Sequence, residues 1–498
     1  MKIIQFSKIN RALGILVLLV SFLSISCADD VLDKKPVTEV TPETLDSEDR
    51  VVETLNASYS GLQGWPFPQM FQSVRSDDLH SQQANFWGGG AKLDQFLTIT
   101  STNGDVAALW RKFYTIIGRA NFSMELAQEF DGFVTSGLRE RIIAEAKFLR
   151  GFGYFQLVRY FGDVPLFVDA IRTIDDPLYI ERSPVATVYA QIVQDFTDAA
   201  AGLPKVGESD QWRATSGAAL AYLAKVHLYL GNYKETVDAC EEVMTHGYQL
   251  EEVYADNFSL ENEFGKESIF EVNYVTSPGE GSQSFQWMMF SAGGKFTGWG
   301  NMLPRQSLVD IFDDSDQRKQ ATFVLPGSIL NSPGLAEFGW EPAKADFGYS
   351  VGVNAVSKKF FLTYEELDVL SSSFNSPKNE KIMRYSEVYL MHAEASLMGG
   401  GGNGADSFQK VIDRAYGIGS TVAPAYDLAG VKEERRREFA TEGWNRFSDL
   451  VRWGDIQAAM DAVGKTDLNI SRDLLLPIPD SEIQLSDGLL TQNPNYNN

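Results

Sequence analysis

Apolar residues recur three and four positions apart through most of the first half of the chain. The cluster Asp46-Ser47-Glu48-Asp49 suits a helix start and precedes Val51, Val52, Leu55, Tyr59 and Leu62. The same period predicts a helix over 105–130, with Leu109, Trp110, Phe113, Ile116 and Ile117 on one face, and another over 137–161 ending at Val164-Pro165. Further helices are expected over 185–203, 215–230 and 233–246, and after a long gap over 382–398, 405–417, 431–442 and 454–463. The expected class is therefore mainly α.

Two stretches break this rhythm. Residues 71–104 are polar and loop-like, with Gly88-Gly89-Gly90 beside Trp87. Residues 255–380 are rich in Gly, Ser, Asn and aromatics, with short apolar runs such as Ser268–Val272, and read as irregular structure carrying short strands. Long structured excursions of this kind usually carry function. The helices at 215–230 and 233–246 resemble a tetratricopeptide unit, with Gly231 at the turn and small residues where the two helices cross. Cys240 and His227 then fall in the core.

The N-terminus reads as an address. Lys2, Lys8 and Arg11 precede a mostly apolar stretch, Ala12 to Ile25, too short to span a bilayer and fitting a secretory signal over 1–26. Leu23-Ser24-Ile25-Ser26-Cys27 looks like a lipobox, with Leu23 one place earlier than usual. Cys27 is then the lipidated residue, and its acyl chains would hold the protein on a membrane without a spanning helix. Residues 27–47, with Pro36 and Pro42, read as an extended tether.

Charge narrows the partners. Over 498 residues the chain carries 43 Lys and Arg against 67 Asp and Glu, a net −24. Nucleic acid is a poor partner for such a surface, since phosphate binding needs clustered cations. The two cysteines and four scattered histidines give neither a disulfide framework nor the spacing of a common zinc site, and no cofactor is expected.

Several long motifs carry a family resemblance: AEAKFLR at 144–150 running on to YFQLVRYFGDVPL at 154–166, RYSEVYLMHAEA at 384–395, ERRREFATEG at 434–443 and DLVRWG at 449–454. The chain resembles the SusD/RagB nutrient-binding lipoproteins of Bacteroidota over nearly its whole mature length. The resemblance implies about four tetratricopeptide-like helix pairs as a scaffold, with a loop-rich variable region packed on it. It implies an N-terminal region over 48–250 and a C-terminal region over 251–498 that includes the ligand-binding excursion 255–380. It also implies a lipid anchor on the outer face of the outer membrane, a SusC-like TonB-dependent transporter as partner, and capture of a glycan without chemistry upon it. The motif charges, among them Arg150, Glu387, Arg435, Glu438, Arg446, Asp449 and Arg452, read as structural. Arg435 with Glu438, and Arg446 with Asp449, are spaced to pair along a helix.

Sugars present flat C–H faces and polar edges, so a site for them needs aromatic platforms flanked by hydrogen-bonding side chains. Two regions offer this mixture: 75–95, with Arg75, Asp78, Asn85 and Trp87, and 283–349, with Trp287, Trp299, Trp340 and Tyr349. Trp110, Trp444 and Trp453 lie in helical patterns and are expected in the core. Two other readings compete. Peptides or another non-sugar nutrient could be the cargo, as in relatives of the RagB type. A glycoside hydrolase would need two carboxyl groups about 5–10 Å apart, and Asp77 or Asp78 could supply one.

Overall fold

A computed structural model of the protein describes residues 47–81, 90–97, 99–171, 176–274, 284, 289–290, 300–325, 355–360, 376–420 and 422–496. The signal and most of the tether, with Cys27, lie outside the described residues. So do Asn85, Trp87, Trp287, Trp299, Trp340 and Tyr349.

The framework is an array of helices. The labelled ones are α1 (Glu48–Ser60), α2 (Pro68–Ser73), α3 (Gly104–Glu129), α4 (Leu138–Phe161), α5 (Val185–Gly202), α6 (Ser216–Leu230), α7 (Tyr233–Val243), α8 (Tyr385–Ala395), α9 (Gly404–Tyr416), α10 (Leu428–Glu438) and α11 (Arg446–Trp453). Apart from the short α2, the first nine pack in chain order, each on the next, from α1 and α3 through to α8 and α9. Eight helices in one row make four successive pairs, as the resemblance implied.

Local chemistry sets the helix ends. The Asn103 side chain accepts from the backbone N–H of Asp105 and Val106 at 3.0 Å and opens α3. Thr215 does the same for α6 through Ala218, and Gly231, left-handed at φ 74°, closes it. α4 is the hub, buried on nearly every face and packed between α3 and α5. Gly153 makes the α3 contact possible: a Cβ there would stand 2.8 Å from Ile117. Trp110 and Trp444 are buried, as are Cys240 and the apolar faces of α1 and α3. His227 and Trp453 are only half-buried, and the Trp453 indole donates to Glu394 at 2.7 Å.

The excursion leaves the array after α7 and returns at α8, although α7 and α8 touch. Its stem is an antiparallel ribbon of β2 (Ser268–Val272) with β6 (Glu380–Arg384). Residues 382–384, expected in a helix, are therefore strand; both faces of β6 are buried there, which blurs the alternation that would have marked it. Two shorter ribbons join β1 (Leu79–His80) to β3 (Leu303–Pro304), and β4 (Phe323–Val324) to β5 (Val356–Ser357). The expected helix over 431–442 runs over 428–438 instead. The chain then turns through Gly443, at φ 81°, where a Cβ would lie 2.2 Å from the Ser73 hydroxyl of α2.

Candidate functional site

β1 and β3 bring the two candidate regions together. Leu79 faces Pro304 and His80 faces Leu303, so Ser81, from which 82–89 departs, lies beside the segment that follows residue 299. His80 Nδ1 donates to the Leu303 carbonyl at 3.1 Å, which fixes the ring's tautomer. Burial, then the charge of Arg305, pushes the His80 pKa down.

The neighbouring feet converge on the same place. The Met302 N–H donates to the Met289 carbonyl at 2.9 Å, and both side chains are buried. Phe290 stacks on Phe360 with ring centroids 4.2 Å apart. β3 also lies against β5, which precedes Phe360 and pairs with β4. The ends of the stretches that carry Asn85 and Trp87, Trp287, Trp299, and Trp340 with Tyr349 are thus collected on one patch of framework.

That patch is held from below by charge. Arg305 donates from Nε to the Leu79 carbonyl at 3.1 Å and from Nη2 to Asp94 at 3.0 Å. Lys465 meets the same Asp94 oxygen at 2.7 Å. Burial holds the Lys465 pKa at about 8 despite that partner. Asp77 takes two hydrogen bonds from Arg446, each 2.8 Å, and Asp78 takes one from Arg436 at 2.6 Å. Burial raises the Asp78 pKa, helped by the neighbouring Asp77 charge; at Asp77 burial acts the same way but Arg446 outweighs it and the pKa falls.

Arg75 and Asp78 are therefore corrected from edge groups facing a ligand to internal ones. They are 2% and 5% exposed. Arg75 hydrogen-bonds the Asp473 carbonyl and lies 4.0 Å over the Phe447 ring. The sequence shows polar residues in a loop; it does not show that their partners wait on α10, on α11 and at Asp473. Asp77 and Asp78, the carboxylates that a hydrolase reading singled out, are both buried and bound by arginines.

A second charge centre lies where the excursion's stem meets α10. Arg384 donates from Nη1 to Glu267 at 2.6 Å and Glu438 at 2.8 Å, and from Nε and Nη2 to Glu442 at 2.9 and 2.8 Å. Lys359 reaches Glu442 at 2.8 Å and Ser357 of β5 meets Thr441 at 2.8 Å. Burial alone would raise Glu438, but Arg414, Arg384 and Arg318 outweigh it and hold its pKa far below the carboxylate range. The helical pairs Arg435–Glu438 and Arg446–Asp449 give way to contacts between elements: Arg435 binds Glu387 at 2.6 Å and Asp449 at 2.7 Å. The motif charges thus join elements distant in sequence. No group of His, Cys, Asp and Glu among the described residues could hold a metal ion, and no described helix is long and apolar enough to cross a membrane.

Comparison with known proteins agrees with this architecture. A family model described as "Starch-binding associating with outer membrane" matches residues 30–228, and one described as "SusD family" matches 266–496. The chain belongs to the SusD/RagB family. A SusD-like protein P25 of Formosa agariphila is 25% identical over 96% of this chain and 98% of its own length. Among solved structures, a laminarin-binding SusD-like protein superposes with a TM-score of 0.77 at 28% identity, covering 90% of this chain and 100% of that one. Surface glycan-binding protein A of Bacteroides thetaiotaomicron, solved with laminarihexaose, gives a TM-score of 0.76 at 23% identity over 90% of this chain and 99% of that one. At that identity the second match speaks for the fold alone.

Proposed function

We propose that this protein is a non-catalytic surface lipoprotein, anchored through a lipidated Cys27, that captures a glycan and delivers it to a SusC-like TonB-dependent outer-membrane transporter. The observation that carries the reading is the convergence of loop feet on β1, β3 and β5. Four stretches of chain, each bringing tryptophan or tyrosine, are rooted on one patch, so Trp87, Trp287, Trp299, Trp340 and Tyr349 supply the flat faces and Asn85 a polar edge. Arg75 and Asp78 serve that site from beneath, by fixing the floor. A laminarin-binding relative at 28% identity supports a glycan as cargo and makes β-glucan the first ligand to try.

Electrophoresis of the purified protein through gels cast with single polysaccharides, with peptide mixtures titrated in parallel, tests this. Retardation by a glycan with no new reducing ends is the expected result. Binding of peptides alone would transfer the cargo to the RagB-type reading, and release of reducing ends would make the protein a hydrolase.

A further inference from the structure

A cavity of about 420 Å³ lies between the C-terminal turn of α4, α5, α6, α11 and the segments 470–475 and 493–494. None of β1, β3 or β5 lines it. Its volume falls in the range of small-ligand pockets, roughly 300–1,000 Å³. In a chain with 67 acidic side chains, this wall contains three arginines, Arg159, Arg452 and Arg472, and no carboxylate.

The three arginines differ in what already balances them. Arg452 is bound by Glu394 and Asp449, and Arg472 by Asp473. Arg159 makes no ion pair among the described residues. It donates to the Trp444 carbonyl at 2.7 Å and to the Ser448 hydroxyl at 3.1 and 3.2 Å, and lies 5.2 Å from the Phe155 ring and 5.5 Å from the Tyr229 ring. A half-buried cation without an anion is costly. The Tyr229 hydroxyl, on the same wall, is buried with no hydrogen-bond partner among the described residues. Tyr189 adds a second ring beside it. Arg159, which no carboxylate among the described residues touches directly although the Asp449 charge acts on it, and the Tyr229 ring line the same cavity.

We infer that this cavity binds an anionic sugar, a ring carrying a carboxylate or a sulfate. The anion sits against Arg159 with Arg472 at the rim, and the ring's C–H face lies along the tyrosines. The sugar half of this assignment rests on the glycan reading above; the anion half rests on the cavity alone.

Calorimetry on the soluble mature chain tests it with three probes: a galacturonate trisaccharide, a sulfated disaccharide and a neutral glucose trisaccharide. The charged probes should bind, and Arg472→Glu should weaken them by about tenfold or more, the worth of one charge-assisted contact. Arg159→Gln should do the same, with thermal melts run beside it and the rim variant standing if it unfolds. The carboxylate and sulfate probes distinguish the two forms of anion. Equal binding of the neutral probe, indifference to Arg472→Glu, or no binding of either charged probe would each overturn the inference. Failure of the loop-face reading is scored separately, by the polysaccharide gels.

Discussion

Asp77 and Arg446, separated by 369 residues, are joined by two parallel hydrogen bonds of 2.8 Å each. Asp77 lies just before β1, and Arg446 opens α11. The pair ties the root of the first candidate loop to the C-terminal motif. Removing one partner of a buried pair leaves the other charge uncompensated, at a cost of about 3–5 kcal/mol, whereas replacing both is milder. Arg446→Leu should therefore lower the urea midpoint markedly, and Asp77→Leu with Arg446→Leu should recover part of the loss. Denaturant titration of the two singles and the double checks this.

The Arg384 centre should behave in the same way and show its reach differently. Its guanidinium joins β6 to Glu267 before β2 and to α10. Arg384→Met should destabilise the chain by about 3–5 kcal/mol. Hydrogen exchange should quicken in both β2 and the turn after α10, while α1 and α3 keep their protection. Exchange confined to β6 would contradict the shared centre.

Acid should loosen the protein through carboxylates of this kind. At Asp449 burial raises the pKa, but Arg435 and Arg452 outweigh it and bring it from 3.8 to about 2. A depressed native pKa gives stability that is complete above the unfolded value and is lost as pH falls through the native one. Part of the stability should therefore disappear between pH of about 4 and 2, and Asp449→Asn should flatten that part. Unfolding curves across that window read it directly.

Glu263 has the opposite sign. Burial, and behind it the Glu271 charge, lift its pKa from 4.5 to about 7, while the Asn379 N–H it accepts at 2.7 Å pulls the other way. Its raised pKa means that the native state holds a proton which the unfolded chain releases, so stability falls as pH climbs from about 4.5 to 7. Glu263→Gln keeps an acceptor for Asn379 and removes the charge. It should match the wild type near pH 4 and exceed it above pH 7 by about 1 kcal/mol, allowing for solvent screening.

The helical array was legible because its rows bury one face at a time. Leu109, Trp110, Phe113, Ile116 and Ile117 announce α3 without help from the rest of the chain. β6 was not, because Ile382 and Met383 are buried on opposite faces and run without a break into α8. Charge pairing was half legible. The sequence marks Arg435, Glu438, Arg446 and Asp449 as structural, but pairs them with neighbours three away, whereas the fold pairs them across elements. Arg75 and Asp78 illustrate the same limit: a polar side chain in a loop gives no sign of an arginine or carbonyl hundreds of residues later. The gathering of loop feet follows from strand pairs two residues long, too short to carry any period.

Cys27→Ala should leave the folded domain intact and release it from the membrane fraction of cells that express it. Fractionation with a palmitate label reads both effects; an unlabelled wild type would remove the anchor from the account.

The most direct test titrates the soluble mature chain with laminarihexaose and with a panel of other defined oligosaccharides, for wild type, Trp87→Ala and Trp299→Ala, with products followed by mass spectrometry. Saturable binding of at least one neutral glycan that both tryptophan variants weaken, with the sugar recovered uncut, is the predicted result. A shortened sugar, or binding that neither variant alters, would contradict capture on the loop face.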